Sequence, residues 1–191
     1  MVERSAANNC EAPAWGRCIR RSRRAASRFP KSSTRIEMWD NAHLILPRIW
    51  LGNKKAAHDT DFLRTQKISM VINCTKDIEF SNAPGVQVRM RVPVHDNLEA
   101  GEIQNLAHWS PEIVYKVVHA WKLGHVILIH CYAGVQRSAA IVAMTLIALR
   151  QMTADSAIKF IRACRPIAFF PGVNFNAAIR HFEAVFRKAL G

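Results

Sequence analysis

The hydrophobic pattern along this chain changes period several times, and each change marks an element. Residues 1–35 show no sustained periodicity. Short β-prone runs follow at residues 43–46 and 48–51, hinged at Pro47 and closed by Gly52. A helix is expected near residues 58–66. Residues 68–73 are rich in Val and Ile and read as a buried strand. Residues 86–94 alternate, with Val86, Val88, Met90, Val92 and Val94 on one face and Gln87, Arg89 and Arg91 on the other, which predicts a second strand. Part of residues 101–108 reads as helix, and Ser110-Pro111 predicts a fresh helix start, with Ser as cap and Pro at the first helical position. Ile113, Val114, Val117, Val118 and Trp121 line one face of it, and Gly124 stands where a C-terminal cap belongs. Residues 126–129 form an apolar run expected to be the central strand. Three helices complete the pattern: residues 138–150; a helix capped by Thr153 that carries Ala157, Ile158, Ile161 and Cys164 on one face; and residues near 174–188. Strands alternating with helices predict an α/β fold.

Charge divides the chain in two. Of its 191 residues, 1–35 hold nine Lys/Arg against two acids, and 36–191 hold eighteen against twelve. The expectation is one folded domain over residues 36–191 preceded by a basic, disordered arm over 1–35. Arg20, Arg21, Arg23, Arg24 and Arg28 cluster in that arm. A nuclear-import signal, a tether to an anionic surface and a solubilising tail all fit them, while Glu3 and Glu11 count against a mitochondrial presequence. A basic surface favours anionic partners: phosphorylated peptides, nucleic acid or acidic lipid. The five cysteines are odd in number and scattered, with no zinc spacing, so free thiols in a reducing compartment are expected, in cytoplasm or nucleus. No signal peptide is visible, and the longest apolar run, residues 139–149, is too short to span a bilayer.

The chemistry lies between the central strand and the next helix, in His130-Cys131-Tyr132-Ala133-Gly134-Val135-Gln136-Arg137-Ser138. A strand that turns tightly into a helix leaves unpaired backbone N–H groups at the helix start, and these bind an anion with the aid of the helix dipole. Tyr132, Ala133, Gly134, Val135 and Gln136 are enough chain to wrap one phosphate. Gly134 allows the tight turn, and Arg137 can grip two phosphate oxygens. The same field lowers a thiol pKa from ~8.5 to between about 3.5 and 7.5. Cys131 is therefore the candidate nucleophile, with Ser138 placed to donate to its sulfur. His130 points to the other side of the strand and orders the loop backbone.

Residues 130–138 match the HCxxGxxRS signature of the cysteine-based protein phosphatases, in its dual-specificity form. The resemblance covers about residues 40–186. Ile45-x-Pro47-x-Ile49-Trp50-Leu51-Gly52 is similar to the family's I-x-P-x-L-Y-L-G run, and Val71-Ile72-Asn73-Cys74-Thr75 to its V-L-N-V-T strand. Met152-Thr153, Ala157-Ile158, Arg165-Pro166 and Phe182-Glu183 resemble its later motifs. The resemblance implies a mixed central sheet flanked by helices and a phosphocysteine mechanism without metal or cofactor. It also implies a general acid, for which Val92-Pro93-Val94-His95-Asp96-Asn97 offers Asp96. Glu99 and Glu102 read as solvated charges at a helix start, and Asp77 follows a different strand. Two departures stand out. The family's P-N-x-G-F is here Pro171-Gly172-Val173-Asn174-Phe175, with Asn and Gly exchanged. Cys74 replaces a common Val; the plainer expectation is a small buried hydrophobe, but some relatives, including tensin-type lipid phosphatases, carry a Cys near here that traps the oxidised nucleophile, so the resemblance also implies a redox pair with Cys131 as the alternative. The loop lacks the Lys of inositide-phosphatase relatives and the H-C-x-H-G-x-N-R-T-G of RNA 5′-triphosphatase relatives. This implies a small, atypical enzyme acting on phosphorylated proteins, with RNA 5′ ends or phosphoinositides as the alternative substrates.

Overall fold

A computed structural model describes residues 40–190. The basic arm expected over residues 1–35, and with it any anionic partner of that arm, lies outside the described residues. The elements run β1 (Ala42–Leu46), β2 (Ile49–Gly52), α1 (Lys54–His58), α2 (Thr60–Thr65), β3 (Met70–Asn73), β4 (Val88–Arg91), α3 (Ala100–Lys122), β5 (Ile127–His130), α4 (Arg137–Arg150), α5 (Ala154–Cys164) and α6 (Asn176–Leu190). They build a five-stranded sheet in the order β1-β2-β5-β3-β4. The β1–β2 pair is antiparallel and the others are parallel, so the sheet is mixed, with β5 at its centre as its apolar run implied.

Alternation along the central strands sorts side chains into two cores. Met70, Ile72, Ile127 and Ile129 face the larger core, built with α3 to α6. Val71 and Leu128 face the smaller one, with Ala57 of α1 and Leu63 of α2. Helix α4 has no polar face: every residue from Arg137 to Ala148 is buried. A helix apolar all round belongs inside, and α4 packs against β5, α3, α5 and α6. Among the described residues no single helix is long and apolar enough to cross a membrane.

The structure differs from expectation in three places. The helix expected near residues 58–66 is α2, and a further short helix, α1, precedes it, because two side chains cap in succession. Asn53 accepts from the N–H groups of Lys55 and Ala56 at 2.9 and 3.1 Å, and Asp59 ends α1 and caps α2 through Phe62 N–H at 2.9 Å. The strand expected over residues 86–94 pairs only at Val88–Arg91, because its one neighbour β3 ends at Asn73. Finally, Ser110-Pro111 does not start a helix; both lie inside the 23-residue α3. Pro111 cannot donate to Ala107 O, the carbonyl four residues back. Ser110 Oγ donates to that carbonyl instead, at 2.9 Å. Ser110 is thus the repair for an interior proline. Ser110→Ala should cost about 1 kcal/mol in urea unfolding, and almost nothing in a Pro111→Ala background, where the backbone bond returns. Equal costs in both backgrounds would remove this explanation of the unbroken helix.

Candidate active site

The loop from Cys131 to Gln136 is held from outside by its carbonyls. Lys54 N–H donates to Tyr132 O at 3.1 Å, and Phe169 N–H to Val135 O at 2.9 Å. Between them, Arg165 donates through Nη2 to Ala133 O at 3.3 Å and through Nε to Gly134 O at 2.9 Å. Arg165 is itself 1% exposed, and its Nη1 donates to Asp40 O at 2.8 Å. With four successive carbonyls turned outward, the loop's N–H groups are left to line its concave side, the geometry that captures an anion. Gly134 is required where it stands. Its φ is +69°, and an added Cβ would lie 2.5 Å from Gly52 O. The loop rests directly on the end of β2, closer than any side chain allows.

Cys131 sits at the base of this loop, 1% exposed. Ser138 Oγ donates to its sulfur at 3.2 Å. Burial works to raise the thiol pKa, but the Arg137 charge, the Ser138 hydroxyl and the N–H groups of Ser138 and Val135 outweigh it, and the net shift is downward. Arg137 is fixed by donating from Nη1 to Val94 O at 3.0 Å, while its buried Nε has no partner within the protein. A buried donor of this kind calls for an acceptor, and an oxyanion in the loop would supply one. His130 occupies the opposite side of β5. Burial pushes its pKa down to about 4, so it is neutral at pH 7, and its Nδ1 lies 3.4 Å from Cys131 O. It therefore touches the loop backbone and not the sulfur.

The cleft above the loop has a volume of about 430 Å³ and is lined by Asp77, His95, Asp96, Asn97, Tyr132 and Arg137. Asp96 reaches it from the connection between β4 and α3, as its place in the sequence implied. Asp77 borders the same cleft from the connection after β3. Tyr132 is 55% exposed, with Lys54 Nζ 3.9 Å from the centre of its ring. Ala133 is also exposed and Val135 partly so, whereas Gln136 is buried and its side chain turns away to residues 170–174. Gln136 can therefore meet a substrate only through its backbone.

Glu102 corrects the expectation of a solvated charge. It is 8% exposed, with Lys76 Nζ 2.6 Å from Oε1 and His95 N–H donating to Oε2 at 2.9 Å. The Lys76 hydrogen bond lowers its pKa against the opposing effect of burial, and the His95 bond adds to it. Glu102 thereby ties the residue before Asp96 to the first turn of α3. Glu99 is exposed, as expected. Cys74 is buried on the same side of the sheet as Cys131, one residue past the register pair Asn73 and His130, and its N–H donates to His130 O at 2.8 Å.

A strand that delivers a thiol to the base of an N–H cradle, closed by an Arg and a Ser from one helix, defines the class of the cysteine-based phosphatases. Residues 49–185 match the family model "Dual specificity phosphatase, catalytic domain", and the chain belongs to this family. Mouse dual specificity phosphatase 28 is 30% identical over 139 residues, which are 73% of this chain and 82% of that protein. Human dual specificity protein phosphatase 8 is 27% identical over 139 residues, which are 73% of this chain but 21% of that protein. The chain thus spans about a fifth of the length of that relative. The crystal structure of human DUSP28 superposes with a TM-score of 0.68 at 26% identity, covering 78% of this chain and 96% of that one. A mouse putative dual specificity phosphatase complexed with zinc tungstate gives the same TM-score at 27% identity, covering 82% and 96%.

The contact between Ser138 and the sulfur has a direct consequence. A hydrogen bond to the thiolate favours the charged form, so Ser138→Ala should raise the Cys131 pKa. The midpoint of the pH dependence of Cys131 alkylation by iodoacetamide should move to higher pH. An unmoved midpoint would show that the hydroxyl does not act on the sulfur.

Proposed function

We propose that this chain hydrolyses phosphate monoesters on tyrosine and on serine or threonine of phosphorylated proteins, through a phosphocysteine intermediate. The observation that carries the reading is the thiol of Cys131, lowered in pKa by Arg137 and Ser138, at the base of an N–H cradle with Asp96 across the cleft. The Cys131 thiolate attacks phosphorus, the ester P–O bond breaks, and Asp96 gives its proton to the leaving oxygen. Arg137 and the N–H groups of residues 132–137 stabilise the equatorial oxygens. Water then attacks phosphorus and loses a proton to Asp96, and the S–P bond breaks to release phosphate. Ser138 stabilises the departing thiolate.

The surroundings of the cleft support a protein substrate. The described body, residues 40–190, leaves little chain for added loops that would deepen the cleft, which suits a shallow site open to all three phosphoresidues. The loop side chains Tyr132, Ala133, Val135 and Gln136 carry no charge. Among the described residues, Lys54 is engaged with the Tyr132 ring and Lys76 with Glu102. A substrate bearing several phosphates, an inositide or an RNA 5′ end, would need free cations there. Free thiols at Cys74, Cys131 and Cys164 suit a reducing compartment, so we place the activity inside the cell, in cytoplasm or nucleus.

Cys131→Ser should abolish turnover of an aryl phosphate, a loss of at least about 10³-fold, while the purified variant still binds tungstate. Retained turnover would overturn the mechanism. Faster hydrolysis of an inositide or of a 5′-triphosphorylated RNA than of phosphopeptides would replace the substrate class.

A redox role for Cys74 is a second reading, favoured by its place beside Cys131, each one residue past the end of the neighbouring parallel strands β3 and β5. Such strands lie about 4.8 Å apart, within the Cα separation a disulfide accepts. Peroxide would oxidise the Cys131 thiolate to a sulfenic acid, and Cys74 sulfur would displace hydroxide from it to form the bridge. Burial and the neighbouring Cys131 charge raise the Cys74 pKa well above the usual thiol range, against the pull of Arg137, so this step is slow unless the site opens. Peptide mapping after mild peroxide should recover a Cys74–Cys131 peptide; sulfinic acid at Cys131 without a bridge would reject the role.

A further inference from the structure

The cleft holds a chain of side-chain contacts that the proposed mechanism leaves unused. Asn174 Nδ2 donates to Asp96 Oδ1 at 2.8 Å. Asn174 belongs to the segment between α5 and α6, 78 residues from Asp96 in sequence. The segment is itself gripped by Gln136, the loop residue before Arg137. Gln136 Nε2 donates to Phe170 O at 3.2 Å and to Gly172 O at 2.7 Å, and Gln136 Oε1 accepts from Asn174 N–H at 3.1 Å. Both ends of one buried amide thus fix a short stretch of chain. The stretch presents a second amide to the carboxyl group.

We propose that Asn174, held by Gln136, is the positioning residue for Asp96; the inference rests on the reading of Asp96 as the proton donor. Asp96 is exposed and stands on an irregular connection. An exposed carboxyl without a tether samples several rotamers, only some of which face a leaving oxygen, and proton transfer requires hydrogen-bond reach. Three contacts remove that freedom. Arg137 holds Val94 O, Glu102 holds His95 N–H, and Asn174 holds the carboxyl itself. The last contact takes Oδ1 and leaves Oδ2 for the proton.

An amide suits this task better than a cation. The mechanism needs Asp96 protonated in the first step and ionised in the second. Oδ1 of a protonated acid, with the proton on Oδ2, accepts from an amide N–H as a carboxylate does. The tether therefore survives the proton transfer, where an Arg or Lys would favour the ionised state alone. The grip through Gln136 also ties the acid's tether to the cradle for as long as these hydrogen bonds hold. Arg137 and Gln136 are adjacent, so the residue that binds phosphate and the anchor of the residue that sets the acid stand on the same stretch of backbone.

The test uses kcat/KM for two substrates, 2,4-dinitrophenyl phosphate, whose leaving group needs no proton, and phenyl phosphate, whose leaving group does. General acid catalysis contributes about 10²–10⁴-fold, and Asn174→Ala should forfeit part of it. Its kcat/KM for phenyl phosphate should fall roughly tenfold, with little change for the dinitrophenyl ester and unchanged tungstate affinity. Gln136→Ala should lower kcat/KM for phenyl phosphate by a larger factor than for the dinitrophenyl ester. In an Asp96→Ala background, Asn174→Ala should add no further loss. Should Asn174→Ala fail to fold, as judged by thermal melting, Asn174→Ser shortens the side chain out of reach and carries the same expectation. Equal loss on both substrates, or additional loss in the Asp96→Ala background, would overturn the positioning role. Equal loss on both substrates from Asp96→Ala alone would overturn the assignment of Asp96 as proton donor, and the positioning role with it.

Discussion

The site depends on where four carbonyl groups point. Left to itself, a loop between strand and helix presents N–H and C=O groups to either side, and a cradle of mixed polarity binds no anion. Here a buried guanidinium and two backbone N–H groups take the carbonyls of residues 132 to 135, so the concave side is left to donors. Arg165 is central because it reaches two of those carbonyls and the backbone of Asp40 at once. Burying a charge with no paired carboxylate would be costly. Charge-assisted bonds to carbonyls, each worth about 1.5–3 kcal/mol, offset that cost and orient the loop.

The same economy of placement governs the sulfur. Cys131 lies in the apolar core beside Ile129 and under α4, where burial disfavours a thiolate. Its ionisation is recovered by groups that arrive together at the first turn of one helix: the Arg137 side chain, the Ser138 hydroxyl and the Ser138 N–H. The central strand brings the sulfur and the helix brings its stabilisers. His130 lies on the opposite face of β5, where it is neutral and contributes no charge to the nucleophile.

Sequence alone carried the parts of this arrangement that repeat at short range. Continuous apolar runs located β3 and β5, period-two alternation located β4, the apolar stretch after Ser138 located α4, and the spacing of Cys131, Arg137 and Ser138 located the cradle. What it could not carry was pairing between distant segments. Arg165-Pro166 was visible as a motif, but nothing near it indicates that its guanidinium meets Gly134, 31 residues away. Glu102 looked like a solvated helix-start charge because its partners, Lys76 and His95, belong to other elements. Ser110-Pro111 resembled a helix start because local rules do not register a hydroxyl that replaces a missing N–H. The exchange of Asn and Gly between positions 172 and 174 gives no local sign that Asn174 reaches Asp96, 78 residues away.

The burial of α4 on every side has a consequence for how the two halves of the cleft behave in time. Amide exchange from a helix enclosed in this way requires near-global opening, whereas the connection bearing Asp96 lies at the surface and can open locally at little cost. Cradle and acid therefore belong to different cooperative units, joined through a few hydrogen bonds. Oxyanion capture draws on the stable unit and proton delivery on the labile one. Heat or denaturant well below global unfolding would then separate them, leaving a protein that still holds phosphate but has lost much of its turnover of poor leaving groups.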